Sequence, residues 1–146
     1  MTNSELASLF DELADIMEIA GENHFKIHAY RNAGAIISAS DENIVDLPPK
    51  ILQQIPGIGK AIAGKIIEAG KKGTFATLEK WRQTEFASLR PLLGIPGVNI
   101  KIVRAMMKDF NISSFDDLKK VIALEMFLLY DKINEKTRNS IIKLAE

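Results

Sequence analysis

The chain of 146 residues contains no cysteine, which excludes disulfides, thiolate metal sites and thiol catalysis. Histidine is nearly absent too: His24 and His28 are the only two, and they share one segment. No apolar run approaches membrane-spanning length, and the acidic N-terminus lacks a basic-then-apolar leader. There is no low-complexity tail. These absences lead to the expectation of a soluble intracellular protein, cytoplasmic and without membrane contact. What remains, 47% hydrophobic and 26% charged residues, is the composition of a globular protein. The length suits one ordinary domain or two very small ones.

A net charge of zero conceals an uneven distribution. Residues 1–49 carry two bases against nine acids, a balance of −7, whereas residues 50–110 carry eleven bases against four acids, a balance of +7. Residues 111–146 balance at six of each. A local field of this kind can steer a polyanion whatever the net charge. Acids and bases decorating the solvent faces of different helices would give the same numbers, so charge alone does not choose between these readings.

Almost every segment has a helical period and none sustains a strand alternation, so the chain reads as all-α. Thr2 and Glu5 form a capping box for a first helix, whose apolar positions Leu6, Leu9, Phe10, Leu13, Ile16 and Met17 recur at three- and four-residue steps. Gly21 ends that helix. A second helix is expected over residues 25–39, a short one after Pro48-Pro49 to about Gln54, and another from Gly59 to about Lys72. The segment 75–83 forms a short helix holding the single tryptophan, Trp81, which reads as core packing. The apolar run from Val121 to Leu129 reads as buried core, with a partner-facing surface as the alternative.

The segment Ile55-Pro56-Gly57-Ile58-Gly59-Lys60-Ala61-Ile62-Ala63-Gly64-Lys65-Ile66 carries the strongest signal. A Pro-Gly-x-Gly turn opening directly into a helix leaves backbone N–H groups unpaired at the helix start, where they can hold an anion. Its glycines tolerate positive φ and let a phosphate approach the backbone closely. The pattern reads as a helix-hairpin-helix, a module that grips the DNA backbone without reading bases; an ordinary αα-hairpin with a glycine turn is the competing reading. Leu92-Leu93-Gly94-Ile95-Pro96-Gly97-Val98-Asn99-Ile100 repeats the design, with Asn99 in the place of the second glycine, as the best substitute for a left-handed residue. A weaker echo, Lys132-Ile133-Asn134-Glu135-Lys136-Thr137, opens a C-terminal helix and has no glycine, so it can equally be a simple cap.

Together with that hairpin, the stretch Gly21-Glu22-Asn23-His24-Phe25-Lys26-Ile27-His28-Ala29-Tyr30-Arg31-Asn32-Ala33 resembles the first signature of the family X DNA polymerases, bacterial branch. The resemblance implies a polymerase beta N-terminal-like domain with the first helix-hairpin-helix over residues 1–84. A fingers-like subdomain with a second, degenerate one is implied over residues 85–146. It further implies that Lys26 and Tyr30 hold the 5′-phosphate at a DNA gap, four residues apart on one helix face, with Phe25, Ala29 and Ala33 turned inward. Gly57, Gly59, Lys60 and Lys65 in the first hairpin, and Gly97, Asn99 and Lys101 in the second, would contact the DNA backbone. No cofactor is required. The carbonyls of Gln53, Ile55 and Ile58, and those of Leu93, Ile95 and Val98, match positions that bind a monovalent cation, Na⁺ or K⁺.

The family's polymerase palm needs Asp-x-Asp for its metal ions, and no such triplet occurs here. Two histidines cannot supply the histidine-rich phosphoesterase of some bacterial members either. The expectation is therefore a stand-alone relative of the DNA-binding half or a part of something larger. The leading reading is a sequence-independent DNA-binding protein of DNA repair that recognises gapped or nicked duplex, a monomer associated with the nucleoid, with a polymerase or other repair protein acting in trans. A second reading makes Lys65 the Schiff-base nucleophile of a 5′-deoxyribose-phosphate lyase, which requires a neutral amine. Lys60 and Lys72 on its polar side favour that, while Glu68, three residues on, opposes it. Gln53, Ala61 and Thr77 stand where the family supports this chemistry with lysine. A third reading is a non-catalytic protein-interaction module.

Overall fold

The computed structural model describes residues 1–146 and contains eight α-helices and no strand, an all-α protein as the periodicity indicates. The chain forms two compact units, residues 1–83 and residues 84–146.

Unit 1 holds α1 (Asn3–Ala20), α2 (His24–Ala39), α3 (Pro49–Gln54), α4 (Lys60–Lys72) and α5 (Ala76–Arg82), with a short 3-10 turn at Ile44–Asp46. The capping box of α1 forms as its residues indicate: Thr2 Oγ1 accepts from Glu5 N–H, and Glu5 Oε2 accepts from Thr2 N–H, each at 3.1 Å. The apolar stripe of α1 then buries Leu6, Phe10, Leu13 and Ile16 completely or nearly so. Helix α2 packs along it closely, for a Cβ on Gly34 would lie 2.9 Å from Asp11 Oδ1. Phe10 is the hub: its ring lies 5.1 Å from Phe75, which is fully buried, and 6.2 Å from Tyr30.

The acids of α1 have specific partners. Arg31 of α2 reaches Asp15 at 2.9 Å, and the Arg82 guanidinium of α5 meets both oxygens of Glu12, at 2.6 and 2.8 Å. The Glu12 bonds hold the Arg82 pKa above its ordinary value. Pairs this exposed contribute about 0–1 kcal/mol each, so they orient α2 and α5 more than they stabilise them. The acidic segment is thus partly consumed in holding unit 1 together, not only in meeting solvent.

Unit 2 begins with a 3-10 stretch, Glu85–Gly94, followed by α6 (Ile100–Phe110), α7 (Phe115–Ala123) and α8 (Glu135–Leu144). Its core gathers Leu89, Leu92, Val103, Met106, Leu118, Phe127 and Ile141. Phe110, Phe127 and Tyr130 form a ring cluster with centroids 4.8–5.8 Å apart. Asp109 Oδ2 ties this cluster down, lying 2.7 Å from Lys132 Nζ and accepting from Tyr130 O–H at 2.8 Å. The Lys132 and Tyr130 contacts hold the Asp109 carboxyl below its usual range, and burial pushes the Tyr130 phenol up.

The run from Val121 to Leu129 corrects the sequence reading. Val121 and Phe127 are buried, but Leu124, Met126, Leu128 and Leu129 face solvent, Leu129 at 93% exposure. The reason is local: α7 stops at Ala123 and Glu125 turns left-handed at φ 61°, so the helical period that would have buried a continuous stripe ends there.

Replacing Phe75 with alanine should lower the unfolding free energy by about 3–5 kcal/mol, the cost of emptying a core aromatic site. Phe25→Ala, at a position 82% exposed, should stay within about 0.5 kcal/mol of the parent. Urea unfolding of both variants checks the contrast, and equal losses would contradict the placement of the two rings.

Candidate nucleic-acid interface

The first hairpin is built on a type II turn. Ile58 N–H donates to Ile55 O at 3.0 Å, with Pro56 and Gly57 at the centre and Gly57 at φ 92°. A Cβ at Gly57 would lie 2.5 Å from Ile36 Cδ1 and 2.9 Å from Asn32 Nδ2. The turn is therefore seated directly on α2, and only glycine gives both the left-handed backbone and the clearance.

Gly59 has another role. It is the N-cap of α4, extended at φ −84°, with no atom within 4 Å of where its Cβ would be. Asn99 is likewise extended, at φ −124°, so the expectation that it substitutes for a left-handed glycine is not met. The left-handed residue of the second hairpin is Gly97, at φ 91°. Asn99 stands at its position as a cap, its Oδ1 accepting from Ile102 N–H at 2.9 Å.

That difference sets α4 apart among the longer helices. Helices α1, α2, α6, α7 and α8 all open on a side-chain cap (Thr2, Asn23, Asn99, Ser114 and Asn134), whereas Gly59 provides none for α4. The first amides of α4, at Lys60, Ala61 and Ile62, are thus left to an external acceptor.

The candidate side chains of unit 1 lie on α4 and α2. Lys65, on the second turn of α4, is half-buried and carries its Nζ 5.6 Å from the centroid of the Tyr30 ring. Such a contact attracts the ammonium by about 0.5–1 kcal/mol. Glu68 is turned elsewhere: it accepts from Ala76 N–H at 3.0 Å and lies 3.7 Å from Lys72. Lys26, exposed, sits one helical turn before Tyr30. The structure thus brings Lys65 to Tyr30 across two helices, a juxtaposition that spacing along one helix cannot reveal.

The inward face of α2 differs from the reading. Ala33 is buried, but Phe25 is 82% exposed and Ala29 is exposed; Ile27, Gly34 and Ile37 form the face toward α1. Phe25 lies two residues from Ile27, about 200° around the helix, and so points to solvent. It borders Lys26, with the His24 ring 6.0 Å away, edge-on. Sequence reasoning misses this exposed aromatic because it pairs Phe25 with the alanines instead of with the register of α1.

In unit 2 the second hairpin repeats the turn, Val98 N–H donating to Ile95 O at 3.0 Å. A Cβ at Gly97 would be 2.6 Å from Thr137 Oγ1, which donates to Pro96 O at 3.1 Å, so this turn is seated on α8. The weak echo at Lys132–Thr137 is a cap: Asn134 Oδ1 accepts from Thr137 N–H at 2.7 Å. Lys101 is exposed, in line with Arg104 and Lys108.

Of the carbonyls matched to a monovalent cation, those of Ile55 and Ile95 accept the turn hydrogen bonds, and those of Ile58 and Val98 receive no backbone donor. Gln53 and Leu93 lie just before the turns. No three His, Cys, Asp or Glu side chains are grouped to hold a metal ion, and no helix is long and apolar enough to cross a membrane.

Known proteins are similar to this chain in sequence. The model of the helix-hairpin-helix domain family matches residues 1–75, and the chain belongs to that family. It is also similar to the DNA polymerase/3'-5' exonuclease PolX of Bacillus subtilis (strain 168), with 28% identity over 120 residues, which are 82% of this chain and 21% of that relative. The chain is thus family X polymerase-like over most of its own length, while spanning only a minor part of the relative.

The two hairpin glycines should behave differently when replaced. Gly57→Ala forces a left-handed alanine against Ile36 and should cost about 1–3 kcal/mol. Gly59→Ala keeps an extended backbone in open space and should cost less than about 1 kcal/mol. Chemical unfolding of both variants measures the difference, and a larger loss at Gly59 would contradict these assignments.

Proposed function

We propose that the chain binds DNA through its phosphate backbone, without reading base sequence, and that it recognises gapped or nicked duplex by its 5′-phosphate in a DNA-repair setting. The observation that carries this reading is the uncapped start of α4, in the basic stretch of the sequence, on the helix whose Lys65 meets Tyr30 of α2. Unpaired amides at the positive end of a helix hold phosphate oxygens, and Lys26 and Lys65 add charge. Tyr30 O–H supplies a further donor. Phe25, exposed next to Lys26, offers a ring face on which an unpaired base can stack. Similarity to a protein whose name includes DNA polymerase supports DNA as the ligand.

A monovalent cation, Na⁺ or K⁺, fits the hairpins through neutral carbonyl oxygens: Gln53, Ile55 and Ile58 in the first, Leu93, Ile95 and Val98 in the second. The free Ile58 and Val98 carbonyls are consistent with that. When bound, it screens a phosphate from those carbonyl dipoles. The exposed apolar residues Leu124, Met126, Leu128 and Leu129 support a protein partner in addition, a polymerase or other repair protein acting in trans.

Lyase activity is the second reading, favoured by Glu68 being turned away from Lys65 toward Ala76 N–H and Lys72. Lys65 Nζ would attack C1′ of a ring-opened abasic sugar, lose water to form the Schiff base, and allow β-elimination to release the 5′-phosphate end.

A 5′-phosphorylated gapped duplex should bind more tightly than intact duplex, and log affinity should fall with log salt by about 0.9 for each phosphate contacted. Sedimentation of the same mixtures should give one chain per DNA. A flat salt response, or equal affinity for intact duplex, would contradict the reading. For the lyase, borohydride should trap a covalent adduct on a pre-incised abasic duplex, and Lys65→Ala should lose it; no adduct with the parent protein removes this second reading.

A further inference from the structure

The two hairpins share a turn but differ at the helix each one opens. At the start of α4 the N-cap Gly59 offers the amides no side-chain acceptor, whereas at the start of α6 the Asn99 carboxamide oxygen accepts from Ile102 N–H at 2.9 Å. That oxygen carries partial negative charge and stands where an incoming phosphate oxygen would approach, so it both occupies a donor and repels the anion.

The rest of α6 compensates. Lys101, Arg104 and Lys108 recur at three- and four-residue steps and are all exposed, on the side opposite the buried Val103 and Met106. None of the three makes an ion pair within 4.0 Å. The one acid of α6, Asp109, is committed elsewhere, with Oδ2 2.7 Å from Lys132 Nζ and 2.8 Å from the Tyr130 hydroxyl. The stripe therefore has no ion-paired member, although the neighbouring Asp109 still feels the charge of Lys108. From Lys101 to Lys108 it extends about 10 Å along the helix, close to three nucleotide rises of one DNA strand.

We infer that the second hairpin holds the nucleic-acid backbone chiefly through the side-chain cations of Lys101, Arg104 and Lys108, because Asn99 already occupies the Ile102 amide, one of the donors at that helix start. The inference rests on the DNA-binding reading and divides the labour within it. The first hairpin grips phosphate by directional amide hydrogen bonds, which depend on an open cap. The second supplies charge along a track, tolerant of exact phosphate position and sensitive to salt. Arg104 and Lys108 thereby join the interface, although neither belongs to the hairpin motif.

Fluorescence anisotropy on a 5′-phosphorylated gapped duplex, across a series of salt concentrations, separates the two modes. Replacing Lys101, Arg104 and Lys108 together with alanine should make the slope of log affinity against log salt shallower by about two to three, and Lys101→Ala alone by about one. Gly59→Asn writes the Asn99 cap into the first hairpin at an extended, unobstructed position. It should leave the slope unchanged, weaken binding about tenfold, and leave the melting temperature no lower. A parent protein that fails to bind any DNA overturns the DNA-binding reading and the inference with it. A parent that binds, with a triple variant of unchanged slope, overturns the inference alone and leaves the stripe for an acidic protein surface. Full affinity in Gly59→Asn overturns it as well, since an occupied cap would then cost nothing.

Discussion

Unit 1 depends on one close contact, that of the Gly57 backbone with Asn32 and Ile36 of α2. A turn that must run left-handed at φ 92° with a side chain 2.5 Å from the missing Cβ admits no other residue without movement. Because the turn is fixed there, α4 leaves it in a set direction, and Lys65 on its second turn comes to lie over the Tyr30 ring. Tyr30 is in turn braced by Phe10, at the centre of the unit. A backbone constraint in a loop therefore helps set the meeting of Lys65 with Tyr30. Unit 2 uses the same device with a different seat, Gly97 against Thr137 of α8.

Electrostatics depend on this arrangement more than on net charge, which is zero. The acids Glu12 and Asp15 of α1 are matched by Arg82 and Arg31, so part of the acidic N-terminal segment is spent on internal pairs. Asp109 is similarly held by Lys132. Lys26, Lys65, Lys101, Arg104 and Lys108 are among the bases that remain to act on an external anion. Pairing decides which charges remain free, and pairing is a tertiary property.

Local signals are the most legible part of the sequence. The Thr2–Glu5 box, the α1 stripe, the Pro-Gly turns and the helix ending at Lys72 are written in neighbouring residues, and the structure has them. Reading fails where a second element decides the outcome. Proximity to alanines suggests an inward Phe25, but the register of α1 against Ile27 and Gly34 turns it out. Asn99 has the chemistry of a stand-in for left-handed glycine, yet its neighbour Gly97 takes that conformation and Asn99 acts as a cap. Leu124–Leu129 has the composition of a core, but the left-handed turn at Glu125 breaks its period. Of the candidate site, Gly57, Gly59 and Lys60 are visible as a motif, while the meeting of Lys65 with Tyr30 needs the packing of α4 and α2.

The central claim is that the uncapped start of α4 is where phosphate meets this protein. Amide chemical shifts during titration with a 5′-phosphorylated gapped duplex test it most directly. The largest changes should fall on the N–H groups of Lys60, Ala61 and Ile62, with Lys26 and Tyr30 next. Binding that leaves those three amides unshifted, while perturbing residues elsewhere, would contradict it.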